Sequence, residues 1–371
     1  MLTVMVKPVS GLCNMRCSYC FYVDEMQRRA TGVRAQMSLE TLENLLRRAF
    51  AYAKDGLMLA FQGGEPTLAG APFYQAVLAL ERRYNRLGVA VTHALQSNGL
   101  AMEDALLAVL REGRFLVGLS VDGTREIHDS RRVDAAGRGT YDRVMHTAAR
   151  LRAWGIDYNI LCVVDGAVAR RGAEVFESLR PHRYLQFIPC LDPLDGPARE
   201  DALTGEDFGR FLCEIYPRYA RLLRGGQEIS VRTLDNWLQM LAGYPPENCG
   251  MLGRCLPNYL VESNGDVYPC DFYALDEWRM GNINEQSFFR LARSPVQAAF
   301  CGPLWADAAC AACPYAFLCH GGCRRYREPL TDGAGRNRLC EGYRLFFDAY
   351  LPDMRALSAE LLGPGVKGRT E

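Results

Sequence analysis

Cysteine is the residue that most limits what this chain can fold into. The 371-residue sequence contains fifteen cysteines, three of them grouped near the N-terminus and nine in the C-terminal third. A secreted disulfide scaffold is usually shorter and far denser in cysteine, and reducing cytosol does not maintain such bridges. Cysteine in a long chain of this composition therefore predicts metal, cluster or redox chemistry.

The charge balance and the apolar pattern exclude several classes of partner. The sequence has 43 basic and 43 acidic residues, so its formal net charge is zero. A protein that neutralises phosphates normally has a basic surplus, so we expect no nucleic-acid partner. No apolar run reaches the roughly 18 residues that span a bilayer, and a signal-peptide pattern is absent. We therefore expect no membrane association and a cytoplasmic location.

Strand-like and helix-like patterns alternate through the first half of the chain. Segments of helical period separate the strand-like runs, and one of them starts after Ser38 as its N-cap. Alternation of this kind predicts βαβ crossovers and a parallel sheet. Six units rather than eight predict an α/β fold with a partial (β/α)6 TIM-like barrel, whose chemistry lies at the carboxyl ends of the strands. The six predicted strands are Leu2–Val6, Leu57–Phe61, Val89–Leu95, Leu116–Ser120, Tyr158–Val164 and Tyr184–Ile188.

The pattern changes after Leu191, which suggests further domains. A Pro/Gly/Asp-rich connector and two helical stretches follow, and then a loop-rich, cysteine-rich region. Asn264-Gly265 in that region predicts a β-hairpin, because both residues tolerate positive φ. We expect a barrel at 1–192, a helical connector at 193–245, a cysteine-rich domain at 246–345, and a C-terminal helix and tail at 346–371.

The first cysteine group is Cys13, Cys17 and Cys20, directly after the first predicted strand. Three thiolates in one loop can hold three irons of a [4Fe–4S] cluster and leave the fourth iron without a protein ligand. A structural zinc site needs a fourth ligand, and no other cysteine or histidine lies close by in sequence. The alternative is a loop that contains reduced, buried cysteines.

The CxxxCxxC spacing, with Tyr19 before its last cysteine, resembles the radical S-adenosylmethionine (SAM) superfamily. In that superfamily the open iron binds the amino and carboxylate groups of SAM, and electron transfer cleaves the sulfonium to give a 5′-deoxyadenosyl radical. Matching segments follow later strands, in the order expected for a β/α series. The resemblance implies that SAM contacts Tyr19, Gln62, Gly63, Gly64, Glu65, Ser120, Asp122, Arg132 and Leu191.

The second cysteine group has enough thiolates for two fully ligated four-iron clusters, and from spacing alone a pair of zinc sites fits as well. Its spacing resembles the SPASM extension of radical SAM enzymes, which carries two auxiliary [4Fe–4S] clusters. With the SAM-binding cluster, the resemblance implies three [4Fe–4S] clusters in total. It assigns one auxiliary cluster to Cys249, Cys255, Cys270 and Cys323, and the other to Cys310, Cys313, Cys319 and Cys340.

Among SPASM proteins the sequence most resembles anaerobic sulfatase-maturating enzymes. These enzymes oxidise an active-site cysteine or serine of a sulfatase, in a CxPxR or SxPxR segment, to Cα-formylglycine. The resemblance implies that Asp271 is the catalytic base and that reduced flavodoxin or ferredoxin supplies electrons. It is carried by segments such as Cys20-Phe21-Tyr22, Phe61-Gln62-Gly63-Gly64-Glu65-Pro66, Tyr268-Pro269-Cys270-Asp271-Phe272-Tyr273 and Cys319-His320-Gly321-Gly322-Cys323.

Two other functions remain open from the sequence. A SPASM maturase that forms thioether or carbon–carbon crosslinks in a ribosomally made peptide would share the same cofactor motifs. A non-enzymatic iron–sulfur or zinc protein would contain similar cysteine groups. For Asp271 itself, the alternative is a carboxylate that only accepts backbone hydrogen bonds near a cluster.

Overall fold

The structure is a computed structural model and describes residues 1–29, 35–194, 199–302, 308–328 and 335–363. Within these ranges the strands are β1 (Leu2–Val6), β2 (Leu57–Phe61), β3 (Val91–Ser97), β4 (Leu116–Ser120), β5 (Tyr158–Val164), β6 (Tyr184–Pro189), β7 (Ser230–Val231), β8 (Leu260–Val261), β9 (Asp266–Tyr268) and β10 (Gly281–Asn282). The chain divides into two compact units, and each unit is assembled from separate stretches of sequence.

The helices occupy most of the intervals between the strands. They are α1 (Phe21–Gln27), α2 (Leu39–Tyr52), α3 (Gly70–Tyr84), α4 (Asp104–Glu112), α5 (Arg125–Asp129), α6 (Tyr141–Ala153), α7 (Gly166–Ala169), α8 (Gly172–Leu179), α9 (Gly205–Arg224), α10 (Arg232–Leu241), α11 (Phe288–Leu291), α12 (Pro295–Phe300), α13 (Ala308–Ala311), α14 (Ala316–Cys319) and α15 (Cys340–Leu362). No helix among the described residues is both long enough and apolar enough to cross a membrane.

The first unit comprises Met1–Val121, His128–Asn159 and Leu256–Cys301. Its strands lie in the order β10-β9-β8-β1-β2-β3-β4, and β1 to β4 pair in parallel with their neighbours. Every second residue of β1 and β2 is fully or almost fully buried, as expected for strands that are covered by helices. The carboxyl ends of β1 to β4 therefore lie along one edge of this sheet, next to the loops that follow them.

The second unit comprises Asp122–Ile127, Ile160–Cys255 and Gly302–Glu371. Its strands β5, β6 and β7 are parallel. Helices α9 and α15 pack closely because three glycines line their contact, Gly205 and Gly209 on α9 and Gly342 on α15. A Cβ atom on Gly342 would lie 2.0 Å from the Gly205 carbonyl oxygen, so a larger residue would force the two helices apart.

Most of the predicted elements are confirmed, and the parallel sheet is among them. Four of the six predicted strands have the bounds expected from the sequence. Ser38 caps α2 by accepting a hydrogen bond from the Thr41 N–H at 3.1 Å. The hairpin prediction is also confirmed, since β8 and β9 are antiparallel and Gly265 has φ +89°. Closure of the strands into a partial barrel and the four predicted domain boundaries stay predictions, and residues 364–371 of the tail lie outside the described residues.

Two helix predictions are wrong in their extent. The stretch predicted as one helix at Val168–Leu179 forms two helices, α7 and α8. The break is stabilised by Glu214 of α9, whose carboxylate accepts a hydrogen bond at 2.8 Å from the Ala173 N–H in the first turn of α8. The C-terminal helix, expected within 346–371, begins earlier, at Cys340, a predicted cluster ligand.

Candidate active site

The loop after β1 presents the three cysteines of the CxxxCxxC segment half-buried. Several N–H groups point at their sulfur atoms. The Met15 backbone N–H lies 3.4 Å from Cys13 Sγ, the Asn98 side-chain amide lies 3.7 Å from the same atom, and Arg132 Nη1 lies 3.8 Å from Cys17 Sγ. Burial raises the pKa of Cys13 to about 11, and the Met15 and Asn98 donors oppose this rise. N–H groups directed at sulfur suit thiolate ligands of an iron–sulfur cluster.

The same loop is fixed by the segment that follows α5. The backbone N–H groups of Arg16 and Ser18 donate to the carbonyl oxygens of Val133 and Arg131, at 2.8 and 3.1 Å. The Tyr19 ring is buried, and two cationic guanidinium groups lie over it. The Arg131 and Arg132 guanidinium carbons are 5.1 and 5.4 Å from the ring centroid. Tyr19 and Arg132, two predicted SAM contacts, are thus placed beside the cysteine loop.

The Gly-Gly-Glu segment after β2 approaches the cysteine loop so closely that side chains are excluded. Gly63 and Gly64 have φ values of +82° and +55°. A Cβ atom on Gly64 would lie 2.2 Å from the Leu12 carbonyl oxygen and 2.7 Å from that of Ser10. Only glycine adopts such a backbone conformation at this distance without strain. The resulting glycine cradle lets the segment after β2 pack directly against the cysteine loop.

Glu65 is buried, and its carboxylate organises the ends of two strands. Its Oε1 accepts hydrogen bonds from the Thr67 hydroxyl at 2.6 Å and the Ser97 hydroxyl at 2.8 Å. Its Oε2 accepts one from the Asn98 backbone N–H at 2.7 Å. Glu65 thus anchors the polar groups around it. A direct contact between Glu65 and SAM stays a prediction.

The remaining predicted SAM contacts lie at other strand ends. In the first unit, Ser120 ends β4 and is half-buried. In the second unit, Asp122 is completely buried and its Oδ1 accepts a hydrogen bond from the Val163 N–H at 2.9 Å. Leu191, also in the second unit, follows β6 and is buried. Their contacts with SAM stay predictions.

Asp271 follows β9 in the first unit, and its two carboxylate oxygens have different surroundings. Its Oδ2 accepts a hydrogen bond from the Tyr22 hydroxyl at 2.8 Å. Its Oδ1 is buried, and no described group meets it in hydrogen-bond geometry. Burial raises the pKa of Asp271, while Lys7, Tyr22 and Gln62 favour the ionised form. The side chain is therefore held by Tyr22 at one oxygen, while the other oxygen is buried without a hydrogen-bond partner among the described residues.

A buried ion network lies behind this carboxylate. The Lys7 ammonium is 3.2 Å from Glu262 and 3.4 Å from Glu25, and it lies over the Tyr22 ring at 4.6 Å from its centroid. The Arg29 guanidinium is 2.6 Å from the same Glu262 carboxylate. All four charged side chains are almost completely buried. The ammonium thus supports, through the ring, the tyrosine that holds Asp271.

The buried network has more carboxylates than cations, and this imbalance explains the pKa shifts of its members. Counting Asp271, three buried carboxylates share two cations. Burial would raise the pKa of Glu262, but Lys7 and Arg29 outweigh it, so that pKa is lowered. Glu25 has Lys7 as its main cationic neighbour, and burial raises its pKa. Burial likewise opposes the charge of Lys7, but Glu262 and Glu25 raise its pKa overall.

The sequence interpretation did not identify this network. Lys7 nevertheless carries a signal, because it is one of only three lysines and directly follows the apolar run of β1. A lysine at that place in an arginine-rich chain indicates a buried ammonium with specific partners. The partners Glu25 and Glu262 are 18 and 255 residues away. No local pattern points to them.

The second unit brings most of the auxiliary cysteines into two neighbourhoods. Burial raises the pKa of Cys319 to about 11, and the nearby thiols of Cys340 and Cys310 add to the rise. Cys310 and Cys313 act in the same way on Cys340, after burial. The cysteines of this first neighbourhood, Cys310, Cys313, Cys319 and Cys340, are those of one predicted ligand set. The ligand sets themselves stay predictions.

The other neighbourhood of the second unit surrounds Cys323. Burial raises its pKa to about 12, and the thiols of Cys249 and Cys255 contribute. Cys270 belongs to the first unit, so its place in this ligand set stays a prediction. Among the described residues no group of His, Cys, Asp or Glu side chains forms a site for a single metal ion. A four-iron cluster is larger than one ion and separates its thiolates more widely.

Comparisons with known proteins define the class of this enzyme. The sequence profile of the radical SAM superfamily matches residues 8–173, and that of the SPASM iron–sulfur cluster-binding domain matches residues 255–314. The chain is thus a radical SAM enzyme with a SPASM domain. Within that class, the chain belongs to the anaerobic sulfatase-maturating enzymes, because members of that family are 32% and 37% identical to it over nearly its whole length.

Individual relatives match over nearly the whole chain. A cysteine-type anaerobic sulfatase-maturating enzyme of Clostridium novyi is 37% identical, with 94% of each chain covered. A serine-type enzyme of Klebsiella aerogenes is 32% identical, with 97% of this chain and 88% of the relative covered. The solved structure of anSMEcpe with AdoMet and the Cp18Cys peptide is 34% identical, covers 97% and 99% of the two chains, and has a TM-score of 0.91.

We expect Lys7→Met to lower the free energy of unfolding by about 3–5 kcal/mol, because it leaves buried carboxylates without their shared cation. Urea unfolding under anaerobic conditions measures the effect. Arg82→Met is the matched control, since the Arg82–Glu112 ion pair is mostly exposed and should contribute less than about 1 kcal/mol. Equal effects of the two substitutions would contradict a special role for the buried network.

Gly64→Ala should lower the iron content of the CxxxCxxC loop, because the new methyl group would displace the Leu12 and Ser10 carbonyl groups. Iron and sulfide analysis after anaerobic reconstitution tests this. Gly88→Ala is the control, since Gly88 also has positive φ (+64°) but open space around its Cβ position. Full iron in Gly64→Ala would show that the close approach is not needed.

Proposed function

We propose that this chain oxidises the active-site cysteine or serine of a sulfatase, in a CxPxR or SxPxR segment, to Cα-formylglycine. The observation that carries the proposal is the arrangement of Asp271, a buried carboxylate. Tyr22 fixes one of its oxygens, and the other has no hydrogen-bond partner among the described residues. It occurs in a chain of a family whose cysteine-type relative is 37% identical. Oxidising such a side chain requires the loss of a hydrogen atom, a proton and an electron. Serine then gives the aldehyde directly, whereas cysteine gives a thioaldehyde that water hydrolyses to the aldehyde with release of hydrogen sulfide.

Asp271 would take the proton. The unpartnered Oδ1 can accept the thiol or hydroxyl proton of the substrate, provided that the substrate lies within hydrogen-bond reach. Tyr22 prevents rotation of the carboxylate, and Lys7 stabilises the position of the Tyr22 ring from behind. A fixed acceptor avoids the cost of ordering the base during the reaction.

Cys13, Cys17 and Cys20 would hold the SAM-binding cluster, and the glycine cradle of Gly63 and Gly64 would bring the backbone close to SAM. When bound and reduced, this pair of cofactors supplies the 5′-deoxyadenosyl radical that removes a Cβ hydrogen. The other residues that we assign to SAM binding are Tyr19, Gln62, Glu65, Ser120, Asp122, Arg132 and Leu191. Their role is to orient SAM and to exclude water.

The eight C-terminal cysteines would hold two fully ligated [4Fe–4S] clusters, which accept the electron and stabilise a loop-rich region. Cys249, Cys255, Cys270 and Cys323 form one ligand set, and Cys310, Cys313, Cys319 and Cys340 form the other. Reduced flavodoxin or ferredoxin would supply the electron for SAM cleavage. A reducing cytoplasm would keep these thiolates available to the clusters.

The activity is tested on the reconstituted holoenzyme with SAM, a reductant and a cysteine peptide derived from a sulfatase. Mass spectrometry should detect formylglycine together with 5′-deoxyadenosine, at about twelve irons per chain. The variant with Cys13, Cys17 and Cys20 changed to alanine should lose about four irons and form no 5′-deoxyadenosine. Serine peptides tested in parallel determine the substrate type. SAM cleavage without peptide oxidation would refute the substrate, and a crosslinked product would indicate a ribosomal-peptide maturase instead.

Asp271→Asn should retain its iron and bind SAM and peptide, but lose most formylglycine formation, because an amide is a poor proton acceptor. The fall is expected to be about 10²–10⁴-fold, the usual contribution of a general base. Glu262→Gln is a useful comparison, since it changes the ion network and leaves the Asp271 carboxylate in place. Near-normal turnover would remove Asp271 from the mechanism, and a loss of iron would give it a structural role.

A further inference from the structure

The stretch from Pro189, the last residue of β6, to Asp192 is held by side chains from the cysteine-rich segment of the same unit, the second unit. The Tyr326 hydroxyl donates a hydrogen bond to the Pro189 carbonyl oxygen at 3.0 Å. Arg325 Nη2 donates to the Asp192 carbonyl oxygen at 2.6 Å. The Arg325 side chain is buried, with 3% of the residue exposed. Donors from the cysteine-rich segment thus meet both ends of this short stretch.

Arg338 binds the middle of the same stretch. Its guanidinium donates to the Cys190 carbonyl oxygen and forms an ion pair with the Asp192 carboxylate. The guanidinium also lies over the Tyr326 ring, 5.5 Å from the centroid, and the Arg338 N–H donates to the Tyr326 carbonyl oxygen at 2.9 Å. A planar guanidinium reaches the two acceptors with separate N–H groups in a fixed fork, a geometry that a flexible lysine ammonium does not reproduce.

These contacts begin where the backbone hydrogen bonds to the neighbouring strand end. The N–H of Cys190 donates to the Val164 carbonyl of β5 at 2.7 Å, and β6 ends at Pro189. Beyond this point the main chain is irregular, so its conformation depends on side-chain partners. Leu191, buried and assigned above to the adenine side of SAM, lies between the carbonyl groups of Cys190 and Asp192 that the two arginines bind.

We propose that Arg325 and Arg338 are positioning residues for SAM, which fix the main chain around Leu191 by binding the Cys190 and Asp192 carbonyl groups. This inference rests on the proposed function, because it requires the SAM contact of Leu191. Arg325 follows Cys323 by two residues, and Arg338 precedes Cys340 by two residues. These two cysteines belong to different auxiliary ligand sets. The SAM pocket is therefore coupled to the folding of the auxiliary-cluster region through both arginines.

Changes to Arg338 and changes to Asp192 affect this contact from different sides. Arg338 loses its geometry if the described residues around Tyr326 and Cys340 unfold, and the loop at Leu191 then loses its donors. Conversely, removal of the Asp192 carboxylate affects the loop without altering any residue of the cysteine-rich segment. The two sides can therefore be changed separately.

The experiment uses the anaerobically reconstituted holoenzyme and measures the equilibrium dissociation constant of labelled SAM, the iron per chain, and the KM of the peptide at saturating SAM. The variants are Arg338→Gln, Asp192→Asn and their combination. Arg338→Lys is the conservative variant. Arg336→Gln is the matched control, because Arg336 is exposed and lies in the same segment.

Both single variants should weaken SAM binding about tenfold, the size of one lost charge-assisted hydrogen bond, with unchanged iron and unchanged peptide KM. The double variant should be no weaker than Arg338→Gln alone, since the two residues act as one contact. Arg338→Lys should recover part of the affinity through the ion pair. The Arg336→Gln control should bind SAM like the unmodified protein.

Unchanged SAM affinity in Asp192→Asn and Arg338→Gln, with full iron, would overturn the proposal. If Arg338→Gln loses iron, Asp192→Asn decides alone, because it leaves the cysteine-rich segment unaltered. Weakened SAM binding in Arg336→Gln would also overturn the proposal, since the effect would then be general. Failure of the proposed function looks different: the unmodified protein would bind and cleave SAM without oxidising the sulfatase peptide, and the affinity differences would persist.

Discussion

The buried ammonium of Lys7 is the interaction on which the first unit depends most. It lies at the carboxyl end of β1 and joins Glu25 of α1 to Glu262 beyond β8, two residues that are far apart in sequence. A charge buried to this degree is tolerated only when partners surround it, so the three elements must come together correctly. The same ammonium supports the Tyr22 ring, and Tyr22 holds Asp271.

The second constraint is the close approach of two backbone segments, which leaves no room for a side chain between them. Gly64 brings the loop after β2 against the carbonyl groups of Leu12 and Ser10 in the cysteine loop. Glu65 then ties that loop to the end of β3 through Ser97 and Asn98. Irregular backbone at a strand end thus gains fixed geometry from buried hydrogen bonds, as it does around Leu191 in the second unit.

Much of the fold could be predicted because its signals are local. Apolar runs with β-branched residues located the strands, and Ser38 and Gly265 supplied a helix cap and a hairpin turn. The break between α7 and α8 could not be predicted, since Glu214 stabilises it from another helix. The cysteine groups and Asp271 were found from spacing and family resemblance. Their neighbours Lys7 and Glu262 were not, because a buried ion pair leaves no periodic trace.

The sequence by itself determined the class of the protein, because its cysteine motifs resemble those of a known family and its strand–helix alternation predicts a parallel sheet. Only the tertiary structure decided which oxygen of Asp271 accepts a hydrogen bond from Tyr22 and which has no partner among the described residues. It also decided which arginines bind the main chain beside Leu191. The reason is physical. Ligand type and periodicity are properties of neighbouring residues, whereas hydrogen-bond geometry and desolvation arise only when distant segments pack together.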